Sequence, residues 1–174
     1  TDSVIAVCAD DALYFANHQT GAINKFPLLD FYFTAFKAPG GLFIASGDNG
    51  FKLFNAAQQS LSLEKHFPEL LPICHDLLVS ATAYTDSLIF MASQNQHGLY
   101  KWNHHTRTIA TITDSSKGPK LESHVINRLF ADSGKRLWIL CDNVISLYDI
   151  RNNSMQHFTL REPGQQKPMS VLMG

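Results

Sequence analysis

The chain has no apolar run approaching the 18 or more residues that would span a bilayer, and its start, Thr1-Asp2-Ser3, has no signal-peptide character. The expectation is a cytosolic protein, or one whose targeting segment lies outside these 174 residues. A basic stripe is missing as well. Lys and Arg number 14 against 15 Asp and Glu, the net charge is -1, and the cations are scattered. Without that electrostatic footprint no nucleic-acid partner is expected, and no anionic membrane surface either. Cysteine is scarce: Cys8, Cys74 and Cys141 are odd in number, far apart and without CxxC spacing. They read as small buried hydrophobes, with a Cys8 to Cys141 bridge left open and the redox compartment undecided.

Catalytic signatures are absent too. None of the eight histidines lies in HExxH or at helical i, i+4 spacing, there is no GxSxG elbow, and no catalytic signature surrounds any cysteine. Gly47-Asp48-Asn49-Gly50 and Ser116-Lys117-Gly118 are too short and wrongly placed to cradle a phosphate before a helix. No metal or cofactor is expected. Helical periodicity is weak throughout; only the stretch from His66 to Leu78, which carries two prolines, suggests a helical turn, and it reads as a link between repeats.

What is present is the composition of an ordinary globular domain, 45% hydrophobic and 17% charged, and a repeat. Val125 to Leu160 reads as a four-stranded meander. Its polar turns are Asp132-Ser133-Gly134-Lys135, Cys141-Asp142-Asn143 and Arg151-Asn152-Asn153-Ser154. The same order of events recurs upstream. Leu42-Phe43-Ile44-Ala45, Leu88-Ile89-Phe90-Met91 and Leu137-Trp138-Ile139-Leu140 are each followed by a polar turn and a second apolar strand ending in Asn55, Asn103 or Asp149. From Leu42 to Leu88 to Leu137 the spacing is 46 then 49 residues, a propeller-blade period.

The fold expected is therefore an all-β propeller of about four blades, over 3–30, 31–67, 77–113 and 124–160, within one domain spanning 1–174. Only 29 residues separate Leu13 from Leu42, so the first blade should be three-stranded or irregular. Met169 to Met173 reads as the first strand of a further unit. A lone meander cannot bury both faces, so terminal faces left uncovered should self-associate.

Asp132-Ser133-Gly134-Lys135-Arg136-Leu137-Trp138-Ile139, followed by Ile145-Ser146-Leu147-Tyr148-Asp149, resembles the two-component regulator propeller repeat. Gly41 to Phe51 and Ser87 to Asn103 match it more faintly. The chain departs from that pattern at Leu140-Cys141, where the repeat has Gly-Thr, and at Val144-Ile145, where it has Gly-Leu. The resemblance implies a non-catalytic sensor propeller in the periplasmic part of a bacterial signalling protein, a hybrid histidine kinase or a diguanylate cyclase. Family propellers have more blades, which implies a part of a larger ring or half-rings that associate.

In a propeller, the turn between strands two and three and the link to the next blade share one rim. That rim would carry Asn17, His18, Asp48, Asn49, Asn95, His97, Asp142 and Asn143, with Glu69, His75, Lys117, Lys120 and His124 on the linkers. Asp48, Asn49, Asn95, His97, Asp142 and Asn143 are the candidates for a small polar ligand, a saccharide among them, or for a partner protein's loop. Tight turns demand these residue types in any case. His104-His105 falls on the opposite rim as a solvated turn, and His97, Asp48 and Asp142 would form a metal set only if the blades bring them together. Trp102 and Trp138, with Phe43, Phe54 and Tyr148, are expected to pack between blades. Three functions compete: an extracytoplasmic sensor, a cytosolic scaffold for protein partners, and, least supported, an enzyme needing carboxylates or histidines converging near the axis.

Overall fold

The structure is a computed structural model that describes residues 4–9, 12–27, 32–93, 95 and 97–159. Met169 to Met173 lies outside the described residues. Four antiparallel sheets follow one another along the chain, each a meander whose strand order is its sequence order. The first has three strands, β1 (Val4–Ala9), β2 (Ala12–Asn17) and β3 (Ile23–Pro27). The second holds β4 (Tyr32–Ala38), β5 (Leu42–Gly47), β6 (Gly50–Phe54) and the short β7 (Ser60–Leu61). The third holds β8 (Leu78–Ala83), β9 (Leu88–Ser93), β10 (Leu99–Asn103) and β11 (Thr108–Ile112). The fourth holds β12 (Ile126–Ala131), β13 (Leu137–Cys141), β14 (Val144–Asp149) and β15 (Ser154–Thr159).

The leading strands β1, β4, β8 and β12 contact one another in that order, so they line the axis and the later strands run outward. This is a β-propeller architecture. Three cores fill the three junctions between successive sheets. Leu13, Phe15, Phe43, Ala45 and Phe54 join the first to the second. Ile44, Leu53, Phe67, Leu70, Met91 and Trp102 lie among those joining the second to the third. Phe90, Leu99, Ile126, Ile139, Cys141 and Tyr148 do the same for the third and fourth.

Burial along the strands follows from this order. Strand β9 (LIFMAS) is buried at every position and β5 at all but the first, as strands covered on both faces must be. At the two ends β1 alternates between half-buried and exposed, and β13 between buried and half-buried, because no described sheet covers one face of each end sheet. Between the second and third sheets, α1 (Leu63–His66), capped by Ser62 Oγ accepting from the Lys65 amide, runs into a 3-10 turn at Pro68–Ile73. That linker inserts Phe67 and Leu70 into the core.

The pairing registers define the repeat more finely than its period. In each four-stranded sheet the leading strand bulges at the same place, between Tyr32 and Thr34, between Leu78 and Ser80, and between Ile126 and Arg128. Matching these bulges makes Phe43, Ile89 and Leu137 equivalent, and likewise Ile44, Phe90 and Trp138. The equivalent of Leu137 is thus Ile89, not Leu88, and the spacing is 46 then 48 residues.

Gly50 and Gly98 are equivalent residues that close the turn after β5 and after β9, with φ of +88° and +99°. A Cβ at either would stand 2.4 Å from a backbone oxygen, of Cys74 or of Ile112. The close approach at Gly50 is fixed by the Phe51 amide donating to the Cys74 carbonyl at 2.8 Å. Gly50→Ala combines left-handed strain with that clash and should cost about 2 kcal/mol. Urea unfolding would measure it, and an unchanged midpoint would refute it. Val144 takes the equivalent place in the fourth sheet without a positive φ, which is the structural counterpart of the Val144-Ile145 departure from the repeat pattern.

Candidate functional site

The linker before β8 and the turn between β9 and β10 meet on one rim, and a buried carboxylate joins them. Asp76 Oδ1 accepts from Asn95 Nδ2 at 2.8 Å; its Oδ2 accepts from the Tyr100 hydroxyl at 2.7 Å and pairs with His97 Nδ1 at 3.1 Å. Its side chain is almost wholly buried while that of His97 is 60% exposed. Burial alone would raise the carboxyl's pKa, but hydrogen bonds from Tyr100, Ser93, His97 and Asn95 outweigh it and hold the group below its ordinary value. The same contact, after burial, pushes the Tyr100 hydroxyl well above the usual phenol range. Asp76 is pinned from the second sheet too: Ser46 Oγ donates to its carbonyl at 3.4 Å and accepts from the Leu78 amide at 3.0 Å.

A cavity of about 200 Å³ opens here, lined by Pro72, Ile73, His75, Asp76, Asn95, His97 and Tyr100. The carboxylate is saturated by protein donors. A ligand would therefore meet the groups it positions: the remaining ring nitrogen of His97 and the amide oxygen of Asn95, both on exposed side chains.

Of the sequence candidates, Asn95 and His97 enter this site. Asp48 and Asn49 occupy the neighbouring turn after β5, which is tied to the linker through Phe51 and Cys74, but neither lines the cavity. Asp142 and Asn143 sit in the β13–β14 turn of the next sheet, where Asp142 accepts from Asn127 Nδ2 at 3.0 Å. Asn17 closes its own turn, its side-chain oxygen accepting from the amides of Gln19 and Thr20, and His18 is exposed beside it. His75 lines the cavity. Glu69 Oε1 accepts from Trp102 Nε1 at 3.1 Å inside the linker. His124 pairs with Asp114 at 2.8 Å, and Lys117 and Lys120 are exposed. Asp76 and Tyr100 were not among the candidates; the signal for them is an acidic residue inside an otherwise apolar approach to β8, and a strand tyrosine within reach of it.

His104 and His105 contact each other in the β10–β11 turn, with ring centroids 4.3 Å apart and His104 Nε2 bonded to the Asp86 carbonyl. Among the described residues, no group of three or more His, Cys, Asp or Glu could hold a metal ion, so His97, Asp48 and Asp142 do not form one. All three thiols are free. Burial pushes Cys8 and Cys141 up to about 11, with the Asp142 charge adding to the effect at Cys141.

Trp102, Phe43, Phe54 and Tyr148 are buried in the junctions. Trp138 is not: it lies half-buried on the face of the fourth sheet that no described sheet covers, Nε1 donating to Asp132 Oδ2 at 2.9 Å and the Arg136 guanidinium 5.8 Å over its ring. Asp132, held chiefly by the Trp138 donor and, against the opposing effect of burial, also by the Arg136 amide and guanidinium, is lowered to about 2.

A wider depression, about 460 Å³, lies between the β4–β5 and β8–β9 turns, lined in part by Lys37, Tyr84, Thr85 and Asp86. It has the volume of a ligand site, but Tyr84 donates to the Lys135 carbonyl and no buried charge serves it. Convergent polar chemistry favours the Asp76 site.

These features define a β-propeller, and known structures carry the same architecture. No protein-family model matches the chain, and no curated protein matches it in sequence. The extracellular domain of a hybrid two-component system protein of B. thetaiotaomicron, BT3049, aligns with a TM-score of 0.62 at 13% identity, over 88% of this chain and 22% of that one. The WD40 β-propeller domain of Doa1 aligns at 0.61 and 13% identity, over 92% and 51%. An auxiliary nutrient binding protein of Bacteroides ovatus aligns at 0.61 and 11% identity, over 92% and 39%. The chain thus spans between about a fifth and a half of these structures, and at such identities the likeness is one of fold. Among the described residues no helix is long and apolar enough to cross a membrane.

Proposed function

We propose that this chain is a non-catalytic recognition propeller, the extracytoplasmic sensor portion of a bacterial signalling protein, reading a small polar ligand on the rim above Asp76. The observation that carries the reading is a buried carboxylate that holds two exposed polar side chains, Asn95 and His97, over a cavity. Likeness in fold to the extracellular domains of a hybrid two-component and of a one-component system protein, and to a nutrient binding protein, supports it. The cavity spans the link between the second and third blades, so a ligand that bridges linker and turn favours one arrangement of those blades. That differential affinity is the only means by which binding can bias a signalling partner.

Calorimetry and thermal-shift screening against neutral mono- and oligosaccharides test the reading. A bound sugar should lose about tenfold or more in affinity on His97→Ala, a loss of about 1.4 kcal/mol, and little on Asp48→Ala. A ligand indifferent to Asn95→Ala and His97→Ala would remove this rim from the function. Fold likeness to a WD40 propeller keeps a scaffold for protein partners as the second reading, and a partner bound with unchanged affinity by both variants would favour it.

A further inference from the structure

The network around Asp76 has a polarity fixed by its centre. An ionised carboxylate can only accept hydrogen bonds, so every neighbour bonded to it must donate. Tyr100 gives its hydroxyl proton at 2.7 Å, Asn95 gives one hydrogen of its side-chain amide at 2.8 Å, and Ser93 gives its hydroxyl proton as well. Against the burial that opposes them, these donors and His97 keep the carboxyl below its ordinary pKa and therefore ionised at neutral pH. His97 Nδ1, at 3.1 Å, must then carry the ring proton, which leaves Nε2 of the neutral imidazole bare. Even the backbone N–H of Asn95 is taken, by the Ser93 hydroxyl oxygen at 3.1 Å. What remains for a ligand on these two exposed side chains is a pair of acceptors, His97 Nε2 and the Asn95 amide oxygen, neither bonded to a described residue.

Charge points the same way. The Asp76 carboxylate is almost wholly buried, and neither Lys nor Arg stands among the described residues that line the cavity, so donors surround the negative charge but no cation answers it. His75 offers one donor and one acceptor when neutral and leaves the balance unchanged, while Pro72 and Ile73 supply an apolar wall. We propose that the rim selects its ligand by sign: it takes a polyol carrying a primary ammonium, whose N–H groups match His97 Nε2 and the Asn95 oxygen and whose charge answers Asp76, and it rejects carboxylates and phosphates. This rests on the rim being the recognition site proposed above, and adds the class of ligand. A neutral hydroxyl satisfies the acceptors but leaves the charge unanswered. An anionic group would meet two lone pairs and a buried like charge, which is discrimination by repulsion.

The polarity can be read without a ligand. In a two-bond proton-nitrogen NMR spectrum at about pH 8, where an ordinary histidine is neutral, His97 should show a protonated Nδ1 and a bare Nε2. A proton on Nε2 would overturn the proposal whatever the rim binds. D-Glucamine, D-sorbitol and D-gluconate share one polyol frame and end in an ammonium, a hydroxyl and a carboxylate. Titrated into the chain, glucamine should shift the His97 ring signals with an affinity about tenfold tighter than sorbitol, and gluconate should leave them unmoved. Asp76→Asn, which keeps the shape and removes the charge, should bring glucamine and sorbitol to within about twofold of each other. Gluconate moving the His97 signals, or equal affinities for the three probes, would overturn the selectivity while leaving the rim as the recognition site. Probes that bind without moving those signals, and equally well to His97→Ala, would remove the rim and the proposal together. Silence from all three would overturn the ligand class alone.

Discussion

Trp102→Ala should lower the stability of the chain by about 3–5 kcal/mol, read as a fall in the denaturant midpoint at unchanged slope. The ring is wholly buried in the core between the second and third sheets, edge-on to Phe67 with centroids 5.0 Å apart. Truncation would empty a volume that rigid strands on both sides cannot refill. It would also remove the donor at 3.1 Å from Glu69 Oε1, on a carboxylate whose other oxygen is already buried without a partner among the described residues. Trp102→Phe retains most of the packing and should recover more than half of the loss. Trp138→Ala is the internal control: with one side of the ring unburied, it should cost about 1 kcal/mol in the monomer. Equal losses at the two tryptophans would contradict the assignment of one to a junction and the other to an end face.

The contrast between these tryptophans also marks how far the sequence could be read. The meanders, their number and the three strands described in the first were legible from turn residues and spacing, because Asp, Asn and Gly punctuate short apolar runs at near-constant intervals. Register was not. Aligning Leu88 with Leu137 slips the third sheet against the fourth by one residue, and a one-residue slip exchanges the two faces of a strand. It sets Trp138 beside Phe43 and Ile89, which face the preceding sheet, whereas the bulge positions set it beside Ile44 and Phe90, which face the next. Strands covered on both faces have apolar residues at nearly every position, so LIFMAS in β9 contains no alternation from which to choose a face.

The rim was legible in half. That the β9–β10 turn and the linker before β8 share an edge follows from blade topology, and it puts Asn95 and His97 on the rim where the cavity beside Asp76 opens. Asp76 escaped because nothing local distinguishes a buried acceptor from a linker charge. Its role depends on donors 17 to 24 residues downstream, from Ser93 to Tyr100, which only the folded sheet brings to it.

Asp76→Ala should destabilise the chain by about 3 kcal/mol, because it strands the buried Tyr100 hydroxyl and frees the turn that Asn95 and His97 anchor. Asp76→Asn keeps the shape and should cost less, but it also exposes how the charge contributes with pH. In the folded chain the carboxyl lies below its ordinary value, so the unfolded chain takes up the proton first as pH falls. The stabilisation is therefore complete above the ordinary aspartate value of about 3.9 and is lost as pH drops below it toward the folded value. Urea midpoints between about pH 7 and pH 3 should fall on the acid side for the parent chain and fall less steeply for Asp76→Asn. Parallel acid limbs would show that the Asp76 charge does not hold the rim together, and the positioning of His97 would then need another cause. Tyr100→Phe tests the same network from its buried end. It removes one donor and leaves the carboxylate in place, so the acid limb should shift to higher pH while the site keeps Asn95 and His97 on Asp76.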